Sequence, residues 1–154
     1  MIDITKLTSF LNEANKHTYA SKDAAKAASL RPSSQDYHYE KGNLAYHDTY
    51  FGARDFIGEE VVYKDEIPVW ALNYYGFVLT SDVSEKDVYA VLRRALMQEY
   101  DDIIPVRGPR DYRDGEYAYT NTAEGDLGRF FGTEEIYQKG DAVYRCLYHG
   151  GFIL

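Results

Sequence analysis

The stretch Tyr39–Gly52, YEKGNLAYHDTYFG, is answered by Tyr112–Gly125, YRDGEYAYTNTAEG, 73 residues further along the chain. Tyr39/Tyr112, Gly42/Gly115, Ala45/Ala118, Tyr46/Tyr119, Thr49/Thr122 and Gly52/Gly125 coincide. One inserted position near Gly125 moves the offset to 74, and the match continues. It runs through Phe56/Phe130, Gly58/Gly132, Glu60/Glu134, Tyr63/Tyr137, Val69/Val143, Tyr74/Tyr148 and Gly76/Gly150. A shared register of Gly, Tyr and Glu reads as two copies of one supersecondary unit, 39–80 and 112–154. Two copies predict halves related by a pseudo-twofold axis, with a cleft between them.

Around this repeat the periodicities assign the elements. Ile4, Leu7, Phe10, Leu11 and Ala14 recur at spacings of three and four, which predicts a helix over 4–15 with Asp3 as its N-cap. Tyr19 to Gln35 reads as a loop, with a helical turn over Asp23 to Ala28. Three strand-like runs follow: 36–51 with a turn at Lys41-Gly42-Asn43, then 56–64, then 67–79. Ser84-Glu85-Lys86-Asp87 resembles a capping box with Asp in the acidic place, and Val88, Val91, Leu92, Ala95 and Leu96 supply a second amphipathic helix. Past a turn-rich connection at Ile103–Arg110, strand-like runs recur at 111–122, 129–138 and 142–153. The expected fold is α+β in one domain, 1–154: two repeats of a helix plus an antiparallel three-strand meander.

Alternation within the last strand of each half separates two faces. Trp70, Leu72 and Tyr74 match Tyr144, Cys146 and Tyr148, apolar or aromatic in both copies, as a shared core demands. Ala71, Asn73 and Tyr75 match Arg145, Leu147 and His149, which differ in polarity and mark where the halves diverge in role.

Composition limits the partners. A length of 154 residues, 45% hydrophobic and 16% aromatic, suffices for one real core, and sixteen tyrosines give amphipathic surfaces. A net charge of −8 without Lys or Arg clusters argues against direct contact with nucleic acid. Cys146, the single cysteine, has no internal disulfide partner, which suits a reducing compartment. Neither a signal segment nor an apolar run of bilayer length is legible, so a cytoplasmic protein away from membranes is expected, with homo-oligomerisation left open.

The motifs point to a site without naming a reaction. Phe56-Ile57-Gly58-Glu59-Glu60 and Phe130-Phe131-Gly132-Thr133-Glu134 put Phe, Gly and the second carboxylate on one strand face, the glycine admitting a bulge or close backbone approach. Glu60 and Glu134 are open to two roles: an acid–base pair, or acceptors locked by their own halves. Arg31 and Arg107 precede the two meanders and would either do that locking or bind an anionic ligand. His38, His47, Asp48 and His149 lack metal-ligand spacing, and no glycine loop cradles phosphate, so neither metal nor cofactor is expected. Cys146 reads as a small core residue. Tyr46, Asp48 and Tyr50 share one strand face while Trp70, Asn73, Tyr74 and Tyr75 crowd another strand; aromatic walls with a few polar groups suit a small organic ligand, a flat base or a cation.

Tyr46-His-Asp48-Thr-Tyr50-Phe-Gly52, Phe56-x-Gly58-x-Glu60, Pro68-Val-Trp70-Ala-Leu-Asn73-Tyr74-Tyr75-Gly76, Arg107-Gly108-Pro109 and Tyr148-His149-Gly150-Gly151 together resemble the bacterial domain-of-unknown-function family 5680. The resemblance covers nearly the whole chain. In that family the domain occurs alone or behind an Xre-type helix-turn-helix module, which implies a sensing or effector-binding role. No such module is legible here, and the resemblance carries no catalytic residues. The reading is a small-molecule-binding domain with an aromatic cleft. Its expected ligand contacts are Tyr46, Asp48, Tyr50, Glu60, Trp70, Asn73, Tyr75, Arg107, Glu134, Arg145 and His149. A protein–protein interaction module, or a hydrolase using Glu60 or Glu134 as base, stands as the alternative.

Overall fold

A computed structural model describes residues 2–19, 26–99 and 106–153. The first helix, α1 (Ile4–His17), begins where the Asp3 carboxylate accepts from the Lys6 amide at 3.0 Å, and buries Leu7, Phe10, Leu11 and Ala14. The second, α2 (Glu85–Leu96), is capped by the Ser84 hydroxyl, which accepts from the Asp87 amide at 3.3 Å. Glu85 and Asp87 occupy its first turn and Arg93 and Arg94 its last, so both ends complement the helix dipole.

Between and after the helices run β1 (Gln35–Lys41), β2 (Leu44–Gly52), β3 (Asp55–Lys64), β4 (Ile67–Val78), β5 (Asp111–Asp114), β6 (Tyr117–Asp126), β7 (Arg129–Gln138) and β8 (Asp141–Phe152). They form one antiparallel sheet in the order β1-β2-β3-β4-β8-β7-β6-β5. Each half thus contributes four strands where three runs were expected. Gly42 (φ +65°) and Gly115 (φ +60°) adopt the left-handed conformation that lets a two-residue loop reverse the chain, splitting 36–51 and 111–122 into hairpins. Of the helical turn expected over 23–28, residues 23–25 lie outside the described residues, and Ala27 instead makes an isolated antiparallel bridge with Asp36.

The two four-strand meanders meet at β4 and β8, where Trp70 pairs with Phe152, Tyr74 with Tyr148 and Val78 with Tyr144. Both helices pack on one face of the sheet. There the α1 and α2 stripes close over Tyr46, Val62, Trp70, Leu72, Ile136 and Tyr144, all 1% exposed or less. Burying each such side chain contributes roughly 1.5–3 kcal/mol, so this single layer carries the stability of the domain. The outer face is open over its central strands, where Ile57, Tyr75, Phe131 and Leu147 are exposed. Among the described residues no helix is long and apolar enough to cross a membrane.

Candidate functional site

The repeated glycines determine where two tyrosines reach. On β3, Gly58 lies between Tyr50 of β2 and Tyr74 of β4; a Cβ there would stand 2.6 Å from the Tyr74 ring and 2.5 Å from the Thr49 carbonyl oxygen. The bare glycine lets the Tyr74 ring lie across β3, and its hydroxyl donates to Asp48 Oδ1 on β2 at 2.6 Å. In the other half the Tyr148 ring crosses Gly132 in the same way and donates to Asn121 Oδ1 at 2.7 Å. One tyrosine therefore meets a carboxylate and the other an amide.

Asn121 is fully engaged, because its amide nitrogen donates to the Gly108 carbonyl at 2.9 Å. Beside it Glu134, with no exposed surface, accepts from the Tyr119 hydroxyl and from Arg107 Nη2, the latter at 2.5 Å. Tyr119 Oη also accepts from the Gly108 amide at 3.1 Å. The Arg107 guanidinium lies 5.6 Å above the Tyr74 ring and 6.0 Å above that of Tyr148, over the seam of the sheet. On this side the oxygens of Glu134 and Asn121 are matched, while the buried Tyr144 hydroxyl has no partner among the described residues.

The glutamate on the other side is not fully matched. Glu60 is 4% exposed, and its closest cation is Arg107, with Nη1 3.7 Å from Oε1. Glu60 Oε2 and Arg107 Nε find no hydrogen-bond partner among the described residues. Asp48 stands directly opposite Glu60 in the β2–β3 register, and its one hydrogen bond among the described residues comes from Tyr74. Burial pushes Asp48 up to about 7, the Tyr74 hydroxyl and Arg107 opposing the rise. It pushes Glu60 up to about 8, with Asp48 reinforcing and Arg107 opposing. Both shifts run the same way because a desolvated carboxylate without a full partner is disfavoured relative to the acid.

Above these two carboxyls lies a cavity of about 580 Å³ between the helices and the sheet, within the range of small-molecule pockets. Tyr46, Asp48, Tyr50, Glu60 and Tyr74 form its sheet side, Phe56 its end, and Tyr19, Tyr89, Leu92 and Arg93 the wall from the helices. The Tyr89 hydroxyl is tied to the Arg54 carbonyl at 2.6 Å, and Phe56 packs against the Tyr74 and Tyr89 rings at 5.8 and 5.9 Å, so the aromatic wall is braced. Burial raises Tyr46 and Tyr74 well above the usual phenol range, which keeps their hydroxyls protonated as donors.

Of the residues expected to gather, Tyr46, Asp48, Tyr50, Glu60 and Arg107 line this cavity. Glu134 lies one guanidinium further in. Trp70 is core: it stacks on Phe130 at 5.8 Å and donates from Nε1 to the Leu127 carbonyl at 2.9 Å. Asn73, Tyr75, Arg145 and His149 do not join the cavity. The row Asp48–Glu60–Leu72–Gly150 faces the helices, so the adjacent row Glu59–Asn73–His149–Phe131 must face away, and Tyr75 and Arg145 belong to that outer face with it. Arg145 is held there by Glu135 at 2.8 Å.

The expected locking of both glutamates by two arginines also takes another form. Arg31 pairs with Glu59 at 3.2 Å on the outer face, and Arg107 alone serves Glu60 and Glu134. His47 turns to Asp36 at 2.9 Å and His38 to Glu40 at 2.7 Å, so neither converges with Asp48 on the inner face. Cys146 is buried, its thiol pushed up to about 12 by that burial, an inert core position. Tyr19, Tyr89 and Arg93 were not anticipated. The signal for two of them was present in α2, where Glu85, Tyr89, Leu92, Arg93 and Leu96 form a second stripe beside the core-facing one.

This is an α+β protein built on one antiparallel sheet with a helix-covered face. A domain of unknown function, DUF5680, matches residues 48–153, and the chain belongs to that family. No curated protein and no solved structure matches the chain.

Proposed function

We propose that the protein is a small-molecule-binding domain of the sensor or effector-binding kind, with its ligand in the cavity beneath α1 and α2. The observation that carries this reading is Glu60 Oε2, a buried carboxylate oxygen without a partner among the described residues, at the floor of an aromatic-walled cavity. Folded proteins seldom leave such an atom unmatched, because it costs about 1–3 kcal/mol, and a site reserved for a ligand accounts for it. The arrangement of halves supports the same reading. Tyr74 pairs with its own counterpart in the repeat, Tyr148, and the strand order is the same read from either edge, as a pseudo-twofold axis through that pair requires. About such an axis, one half would match its glutamate, Glu134, while the other opens the cavity. The lone buried thiol is consistent with a cytoplasmic setting.

A thermal-shift screen over nucleotides, amino acids, sugars and cationic aromatics tests the proposal, since a ligand present at a hundred times its Kd stabilises by about 2.7 kcal/mol. A hit should disappear in Tyr50→Ala and persist in Tyr75→Ala, whose side chain lies on the outer face. No hit in any class, or a hit lost in Tyr75→Ala alone, would count against the cavity.

The exposed Ile57, Tyr75, Phe131 and Leu147 favour a second reading, an interaction module that uses the open sheet face. Sedimentation of the Tyr75→Ser/Leu147→Ser variant against the parent separates the two: loss of an assembly without loss of ligand-induced stabilisation assigns association to that face. A hydrolase with Glu134 as base has less support, because that carboxylate is saturated by Arg107 and Tyr119.

A further inference from the structure

The floor of the cavity holds more acid than base. Asp48, Glu60 and Glu134 are buried there with Arg107 as their one buried cation among the described residues, and Arg107 makes its short contact with Glu134. That contact leaves Glu60 with a guanidinium at 3.7 Å and the Tyr46 hydroxyl, and Asp48 with the Tyr74 hydroxyl. A desolvated carboxyl in this position has two ways to be satisfied: it keeps a proton, or it meets a cation from outside. Above the pair stand the rings of Tyr50, Phe56, Tyr74 and Tyr89, whose π faces attract positive charge.

We propose that the cavity takes an organic cation, a flat or aromatic body carrying a protonated or quaternary ammonium group, with the charge seated at Asp48 and Glu60 and the body among the tyrosines. This rests on the ligand-binding reading above and names its chemical class. The unpartnered Glu60 Oε2 is the atom the ammonium would satisfy. The bases at the mouth do not oppose it decisively. Lys26 donates to Gln35, Lys86 is exposed, Arg93 is half-buried in the helix-side wall, and Glu85, paired with Arg54 at 3.0 Å, lies among them. Charges near the mouth are screened by salt and water, whereas those at the buried floor act at several times that strength.

Binding of this kind is linked to protons. Facing the pair are Tyr46 and Tyr74 from the sheet, Tyr19 beyond α1, Tyr89 and Arg93 from α2, Arg107 from the segment before β5 and, behind Arg107, Glu134. Burial raises the four tyrosines, so they keep their protons, and arginines and lysines stay charged throughout pH 5–9. Asp48 and Glu60 are therefore the groups that change charge in this range, and a bound cation displaces their protons. Affinity should weaken as pH falls below about 8, by about tenfold per pH unit for each proton displaced.

The test is calorimetry at pH 8 with tetraphenylphosphonium against its isostere tetraphenylborate, and with tryptamine against indole-3-ethanol and indole-3-propionate. The expected result is binding of the cations, with neutral and anionic mates at least tenfold weaker. Tetraphenylphosphonium, whose charge is permanent, should lose affinity from pH 8 to pH 5.5 and release protons on binding near pH 7. Glu60→Gln and Asp48→Asn should each weaken it at least tenfold and flatten the pH profile, with circular dichroism and melting confirming that both variants fold. Equal or tighter binding of the borate or propionate, abolished by Tyr50→Ala, would overturn the cation class and leave the ligand site standing. No binding by any member overturns the cation class, and a blank in the wider thermal-shift screen as well removes the ligand site. Cation binding without pH dependence places the charge elsewhere and overturns the seat at Asp48 and Glu60.

Discussion

Tyr74 and Tyr148 pair with each other across the β4–β8 seam, and each throws its ring over a glycine to a strand two places away, yet Tyr74 donates to the carboxylate of Asp48 and Tyr148 to the amide of Asn121. Asn121 Nδ2 in turn donates to the Gly108 carbonyl, whereas the Asp48 carboxylate has no further partner among the described residues. A single difference in acceptor thus separates a closed side of the sheet from an open one. Tyr74→Phe should cost about 2 kcal/mol above pH 8, where Asp48 is ionised, and Tyr148→Phe about 1 kcal/mol, because hydrogen bonds to charged groups contribute more than neutral ones. Urea denaturation of both variants checks the order. Coupling of Tyr74→Phe with Asp48→Asn in a double-mutant cycle should account for most of the larger value.

Gly58 and Gly132 hold the space that those rings cross. Gly58→Val and Gly132→Val should each destabilise by about 3 kcal/mol, since the new side chain meets both the ring and a neighbouring strand's carbonyl, Thr49 or Thr122. Melting curves provide the comparison. Unchanged midpoints in both variants would mean that the rings move aside at no cost.

Asp48 and Glu60 set a pH dependence of stability. In the folded protein they hold protons up to about pH 7 and about pH 8. The unfolded chain releases them near pH 4. Between these limits the folded state binds more protons, so stability falls as pH rises from about 4 to about 8. Glu60→Gln should be more stable than the parent at pH 8 and differ little from it at pH 4. A variant that loses stability at pH 8 would show that Glu60 is structurally satisfied and not held for a ligand.

Asp36 acts in the opposite sense and in a lower window. Burial opposes its ionisation, but hydrogen bonds from His47, Ser34 and Thr49 outweigh that and hold its carboxyl well below the usual range. Its contribution is complete above about pH 4, the range where the unfolded carboxyl is also ionised, and is lost as pH falls below it. Asp36→Ala should cost about 3 kcal/mol at pH 7 by leaving these donors unmatched, and the penalty should shrink toward pH 2. Chemical denaturation at the two pH values measures both.

The elements of this protein and the inner row of the sheet are local properties, and the sequence by itself determined them. Helix caps at Asp3 and Ser84, glycine turns, and the alternation Trp70–Leu72–Tyr74 and Tyr144–Cys146–Tyr148 each depend on neighbours within a few residues. Within 39–80 and 112–154 the turn and alternation signals occur twice in the sequence. The repeat could not show where the halves part company, because polarity differences on the outer face, such as Asn73 against Leu147, look like functional asymmetry when only the chain is read. Tertiary structure decided that both helices cover the same face, which removed Asn73, Tyr75, Arg145 and His149 from the cavity and brought in Tyr89 and Arg93. It also decided that Arg107 serves two glutamates separated by 74 positions and satisfies only one of them. A carboxylate becomes a site by how far it lies from water and from a cation, and those distances are set where distant segments meet in space.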